Sequence, residues 1–122
     1  LVRFAAPGVV LCAEGEADDP NQETLMQIAQ QLRAGPALTV QTVPSPGAIT
    51  HQGRLLPASY LNFYIANGAV LVPTYGSDRD GAAVAAIQAC FPDRQAIGLP
   101  AKAILSGGGA FHCITQQQPA VY

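Results

Sequence analysis

The runs Gly8-Val9-Val10-Leu11 and Gly68-Ala69-Val70-Leu71 are one short apolar pattern met twice at an offset of 60 residues, and Asp18 and Asp78 repeat at the same offset. A helix-like stretch and a second strand-like stretch follow each run, and the repeats end near Pro44 and Pro100. This duplication constrains the fold more than any single residue does. The repeating unit is strand, helix, strand with an additional strand ahead of it, so the chain is predicted to be α/β, with units at approximately 1–47 and 58–105. Two such units are too few to close a ring or bury both faces, since repeat architectures generally need at least about three. Association with further protein is therefore expected.

Composition agrees with that expectation. Hydrophobic residues make up 49% of the 122 and charged residues only 11%, an apolar balance for one modest domain. The net charge is -2 with no basic run, which argues against nucleic acid or an anionic membrane as partner. No apolar run approaches the roughly 20 residues that span a bilayer, and residues 1–7 have no signal-type pattern. The chain opens on Leu1 without an initiator Met and is expected to be a piece of a longer protein. Cys12, Cys90 and Cys113 are an odd set with no C-x-x-C pairing, so neither a disulfide framework nor a zinc site is suggested, and a reducing, cytoplasmic setting fits.

Taken in order, 9–13 reads as a buried strand, with Cys12 as core filler. Asp19 before Pro20, with Gln22 three positions on, predicts an N-cap; Leu25, Ile28, Ala29 and Leu32 then recur at helical spacing to about Arg33, and Gly35-Pro36 stops the helix. Residues 38–43 alternate as a strand. Residues 48–57 read as a polar loop in which His51 and Arg54 face solvent or meet a substrate or partner. Residues 60–65 and 69–73 form a hairpin through Asn67-Gly68, and Asn62 within it needs hydrogen-bond partners, structural ones in the first instance. Ser77 or Asp78 caps a second helix with Ala83, Val84, Ile87 and Phe91 on one face; Pro92 ends it and 95–99 is a further strand.

The last third holds the most suggestive chemistry. Gly107-Gly108-Gly109 precede Ala110-Phe111-His112-Cys113-Ile114-Thr115, whose alternation predicts a strand over 107–119 with Cys113 near its start and the glycines lining a cleft beside it. No Lys-Ser or Lys-Thr follows the glycines, which weakens a phosphate-cradle reading. The Gln116-Gln117-Gln118 run is either strand-end hydration or support for the cleft.

The segment His112-Cys113-Ile114-Thr115-Gln116-Gln117 after glycines resembles the nucleophile motif of the agmatine deiminase family, which is related to bacterial peptidylarginine deiminases. Two further stretches carry the same likeness: Ser59-Tyr60-Leu61-Asn62-Phe63-Tyr64-Ile65-Ala66-Asn67-Gly68, and Arg3-Phe4 followed by Pro7-Gly8. Ala110 departs from the pattern, since many relatives carry a polar residue such as Asn there.

The resemblance implies about two ββαβ blades of a five-bladed pseudo-symmetric α/β propeller, a pentein-like fold, with 1–122 as its C-terminal part. It implies hydrolysis of a guanidinium group, agmatine first and an arginine side chain second, with Cys113 as nucleophile and no metal or organic cofactor. A thiolate is required to attack so resonance-stabilised a carbon. In the family the base is a histidine of a His-x-Asp motif upstream of the Arg-Phe pair, and the substrate carboxylates lie in other blades. The chain alone is therefore expected to be inert. His112 is set aside as base because neighbours on a strand point to opposite faces. The contrasting expectation is a noncatalytic module that self-associates or binds the missing N-terminal blades through its apolar faces.

Overall fold

A computed structural model describes residues 1–35 and 37–121. The first unit is β1 (Val2–Ala6), β2 (Val9–Glu14), α1 (Gln22–Ala34) and β3 (Thr39–Pro44). The second is β6 (Tyr64–Ile65), β7 (Ala69–Thr74), α2 (Asp80–Cys90) and β8 (Gln95–Pro100), with β4 (Thr50–His51) and β5 (Arg54–Leu55) between the units and a short α3 (Lys102–Leu105) after them.

The two units have one topology. β2 lies between antiparallel β1 and parallel β3, and β7 lies between antiparallel β6 and parallel β8. The parallel registers match step for step, from Val9 opposite Thr39 to Glu14 opposite Pro44, and from Ala69 opposite Gln95 to Thr74 opposite Pro100. A strand hydrogen-bonded on both edges and packed on both faces must be apolar along its whole length. That is why Val10, Leu11, Cys12 and Ala13 are all buried, and why the two central strands were the repeat visible in the sequence.

One core joins the units. Leu11, Leu25 and Val43 from the first meet Phe63, Val70, Val72, Ile87 and Phe91 from the second, with Phe63 edge-on to Phe91 at 5.7 Å between ring centres. Full burial of each such side chain contributes about 1.5–3 kcal/mol. The seam is closed by α2, which packs on its own β7 and β8 and also on β3 of the first unit. Two polar ties cross it as well. Arg79 donates to Glu16 and Asp18 at 2.8 and 3.0 Å, and Arg3 donates to the carbonyls of Leu61 and Phe63, both at 3.0 Å, with its guanidinium 4.4 Å from the Phe63 ring centre.

Local detail departs from the sequence reading in several places; neither Ser77 nor Asp78 caps α2, which begins at Asp80 with no side-chain cap, and the strand ahead of Asn67-Gly68 is only Tyr64–Ile65. Helix α1 begins at Gln22, and Asp19 Oδ1 accepts from the Asn21 amide at 2.7 Å, so the Asp19 carboxylate closes the turn before the helix and does not cap it. Gly35 N–H bonds back to Gln31 at the other end, and Pro36 lies outside the described residues. The 48–57 loop contains a hairpin, β4 against β5, turning through Gln52 and Gly53 at φ 50° and 74°, the left-handed pair that a tight two-residue turn requires. His51 and Arg54 face each other across it, exposed. The hairpin through Asn67-Gly68 forms, with Tyr64 opposite Leu71 and the Ala66 amide closing onto the Ala69 carbonyl at 2.8 Å, but neither turn residue is left-handed.

Candidate active site

Among the described residues, the segment after α3 has no strand partner. Gly107 and Gly108 donate to the carbonyls of Ile104 and Leu105 and end that short helix, and residues 111–114 form a turn in which the Thr115 hydroxyl bonds back to Phe111 at 2.7 Å. The alternation across 111–116 therefore does not mark a strand. The backbone donors a ladder would need are taken up elsewhere: His112 N–H reaches the Asn62 carbonyl at 3.1 Å, and Cys113 N–H reaches Asn62 Oδ1 at 3.3 Å. Short side-chain to backbone bonds of this kind compete with extended structure.

Asn62 thus holds the Cys113 turn from several sides. Its Nδ2 also donates to Cys113 Sγ at 3.1 Å. That donor, the larger effect, and the Ala110 backbone N–H hold the Cys113 thiol below its ordinary value of 9.0, against a smaller opposing effect of desolvation. The other two thiols differ: burial pushes both Cys12 and Cys90 up. Ala110, at the position where the family pattern often has a polar side chain, is fully buried.

The glycine expected to line the cleft closest to the thiol is Gly109. A Cβ there would lie 2.8 Å from both Cβ and Sγ of Cys113, closer than such atoms approach, so the thiol occupies the space a side chain would fill. Gly107 and Gly108 shape the helix end, and a Cβ added at either would meet no atom of the cysteine. His112 lines a cavity of about 160 Å³ together with Arg3, Asn62, Ser59, Leu61 and Leu1. In a turn, strand alternation no longer separates His112 from Cys113, so that argument against it does not apply. Gln117 Nε2 donates to the Ile65 carbonyl at 3.1 Å, which anchors the glutamine run to β6.

His51 and Arg54 lie in the β4–β5 hairpin and are not among the residues lining this cavity. Among the described residues no three His, Cys, Asp or Glu side chains cluster as metal ligands would. The residue that sequence reasoning undervalued is Asn62, whose visible signals were a polar amide inside an apolar run and a place in the family-like stretch 59–68.

The family model for Porphyromonas-type peptidyl-arginine deiminase matches residues 1–119. The chain belongs to this family. An agmatine deiminase of Stutzerimonas stutzeri (strain A1501) is 35% identical over 143 residues, a match covering 98% of this chain and 39% of that protein. The solved agmatine deiminase of Enterococcus faecalis superposes with a TM-score of 0.85 at 32% identity, over 98% of this chain and 39% of that one. A cysteine-to-serine variant of C. jejuni agmatine deiminase with substrate bound gives 0.85 at 25% identity, over 92% and 34%. The chain thus spans about two fifths of the length of the curated deiminase it matches. The α/β fold of this family is the one expected from the resemblance, with the two ββαβ units as part of its propeller. No helix among the described residues is long and apolar enough to cross a membrane.

Proposed function

We propose that this chain carries the nucleophile of a cytoplasmic guanidine hydrolase acting on agmatine, giving N-carbamoylputrescine and ammonia. The observation that carries the reading is the Asn62 amide donating to Cys113 Sγ at 3.1 Å, which favours the thiolate in an open position beside the cavity that Arg3, Asn62 and His112 line. Names borne by the relatives supply the substrate class.

In the chemistry proposed, Cys113 Sγ bonds to the central guanidinium carbon, and one C–N bond then breaks as that nitrogen takes a proton from the acid form of the base and leaves as ammonia. Water adds to the thiouronium carbon, giving one proton to that base, and the C–S bond breaks to return the thiolate as the added hydroxyl loses its second proton to solvent and becomes the ureido carbonyl. Asn62 and the Ala110 N–H stabilise the sulfur anion at the start and end of that cycle. The base for water and the carboxylates that pair with the guanidinium are assigned to protein beyond these 122 residues. The groove of about 510 Å³ along α1, lined by Leu25, Met26, Ala29 and Arg33, is the surface we assign to that remainder. Its template is internal: α2 covers its second face with β3, while the corresponding face of α1 leaves Met26 62% exposed. A second copy of the chain is the alternative occupant.

The second substrate reading is an arginine side chain in a peptide, favoured by the family description. Ammonia release from agmatine, and separately from an arginine peptide, tests both with protein extended upstream of Leu1, beside Cys113→Ala. Turnover of agmatine that the variant loses supports the proposal; turnover of the peptide alone moves it to the second reading. A folded extended protein that turns over neither returns the chain to a noncatalytic assembly module.

A further inference from the structure

Asn62 can steer the thiol only if something fixes Asn62, and the answer lies in the turn that presents it. The Asn62 amide bonds to the Ser59 carbonyl at 3.1 Å, and the Leu61 amide to the Ser59 hydroxyl at 3.3 Å, so residues 59–62 form one closed turn. Two buried tyrosines grip that turn. Tyr75 Oη donates to the Ser59 carbonyl at 2.9 Å and accepts from the Ser59 amide at 3.3 Å, while Tyr60, within the turn, donates its hydroxyl to Asp80 Oδ1 at 2.6 Å. Tyr60 and Tyr75 are 1% and 2% exposed, with ring centres 5.6 Å apart.

Asp80 in turn is fixed by backbone. Its carboxylate accepts from the amides of Tyr75 and Gly76, the latter at 2.9 Å, at the start of α2. Burial and the Asp80 carboxylate push the Tyr60 hydroxyl up, and burial pushes Tyr75 up to about 12, so both remain donors throughout the range in which a thiol titrates. A path of bonds therefore runs from the first turn of α2 through two tyrosines to a turn whose last side chain touches the sulfur.

We propose that Asp80, Tyr60 and Tyr75 are positioning residues for Cys113, acting by fixing the 59–62 turn and so aiming the Asn62 amide at the thiol. Their chemical role in turnover rests on the function proposed above, but their effect on the thiol does not. The test therefore reads the thiol directly, as the pH dependence of Cys113 carboxamidomethylation by iodoacetamide in the 122-residue chain, followed by peptide mass spectrometry. Tyr60→Phe and Tyr75→Phe each remove one hydroxyl and keep the ring. Asp80→Asn is avoided because it also disturbs the start of α2.

Each phenylalanine variant is expected to move the alkylation midpoint upward and to lower the rate near neutral pH about threefold to tenfold, the range for losing part of a charge-assisted hydrogen bond. Asn62→Ala is expected to shift the midpoint at least as far, and adding Tyr60→Phe to it should change nothing more. Wild-type profiles in both phenylalanine variants overturn the proposal, as does a Tyr60→Phe shift that persists in full beside Asn62→Ala. His112 and Arg3, the ionisable side chains lining the cavity beside Asn62, are unchanged in every variant, so neither accounts for a difference.

Discussion

Gly109→Ala tests the geometry of the site at its tightest point. The new methyl carbon would sit 2.8 Å from both Cβ and Sγ of Cys113, whereas carbon contacts settle at about 3.5–4.0 Å, so the cysteine must withdraw by roughly 1 Å. The Asn62 amide reaches the sulfur at 3.1 Å, and a further ångström takes that contact outside hydrogen-bond range. A hydrogen bond to an ionised group contributes about 1.5–3 kcal/mol, and one pH unit corresponds to about 1.4 kcal/mol. Cys113 is exposed, so the lower end applies: the thiol should rise toward its ordinary value and its alkylation near neutral pH should slow by up to about tenfold. The assay is the alkylation midpoint, supplemented by urea unfolding of wild type and variant. Because folding depresses this thiol, it contributes stability above the unfolded thiol's value and loses that contribution as pH falls through the folded value. The stability deficit of Gly109→Ala should therefore be larger near about pH 9.5 than near about pH 6. An unchanged alkylation midpoint in a folded variant would refute the assignment of Gly109 as the wall behind the thiol.

Three further outcomes follow from the same structure. Substoichiometric iodoacetamide near neutral pH should label Cys113 at least about tenfold faster than Cys12, which is fully buried, or Cys90, whose thiol bonds to Gln41 at 2.7 Å; peptide mapping reads the order. Arg3→Met should cost about 2 kcal/mol in urea unfolding, because it leaves the Leu61 and Phe63 carbonyls without their donor and removes the stacked cation. Gly81→Ala, in the first turn of α2 with nothing within 4 Å of the added carbon, should raise stability by about 0.5 kcal/mol and leave Cys113 alkylation unchanged.

How much of this was legible from residues alone depended on whether the deciding partner was near in sequence. The central strands were readable because a strand enclosed on all sides is apolar throughout, as 9–13 and 69–73 are. The helices were readable from spacing, apart from their starts: three residues of turn chemistry shift α1 to Gln22, and α2 begins at Asp80, past Ser77 and Asp78. Gln52-Gly53 was a hairpin signal hidden by polar neighbours. At the site, Cys113 was singled out by its local motif, but its conformation was misread. Period-two alternation over six residues is weak evidence, and here it was outweighed by bonds to an amide 51 positions away. Nothing beside Asn62 in the chain announces that partner.

The polar hook at the seam also gives the repeat a direction. Counted from the ends of the two central strands, Arg79 occupies the fifth position beyond Thr74, while the fifth beyond Glu14 is Asp19; Glu16 and Asp18 stand where the second copy has Gly76 and Asp78. In the native order a guanidinium meets two carboxylates. Exchanging the copies would set Asp19 against Asp78, one negative charge facing another. The duplicated frame is thus not a set of interchangeable bricks. Each exposed ion pair adds little stability, but the pairing tells the units which of them comes first.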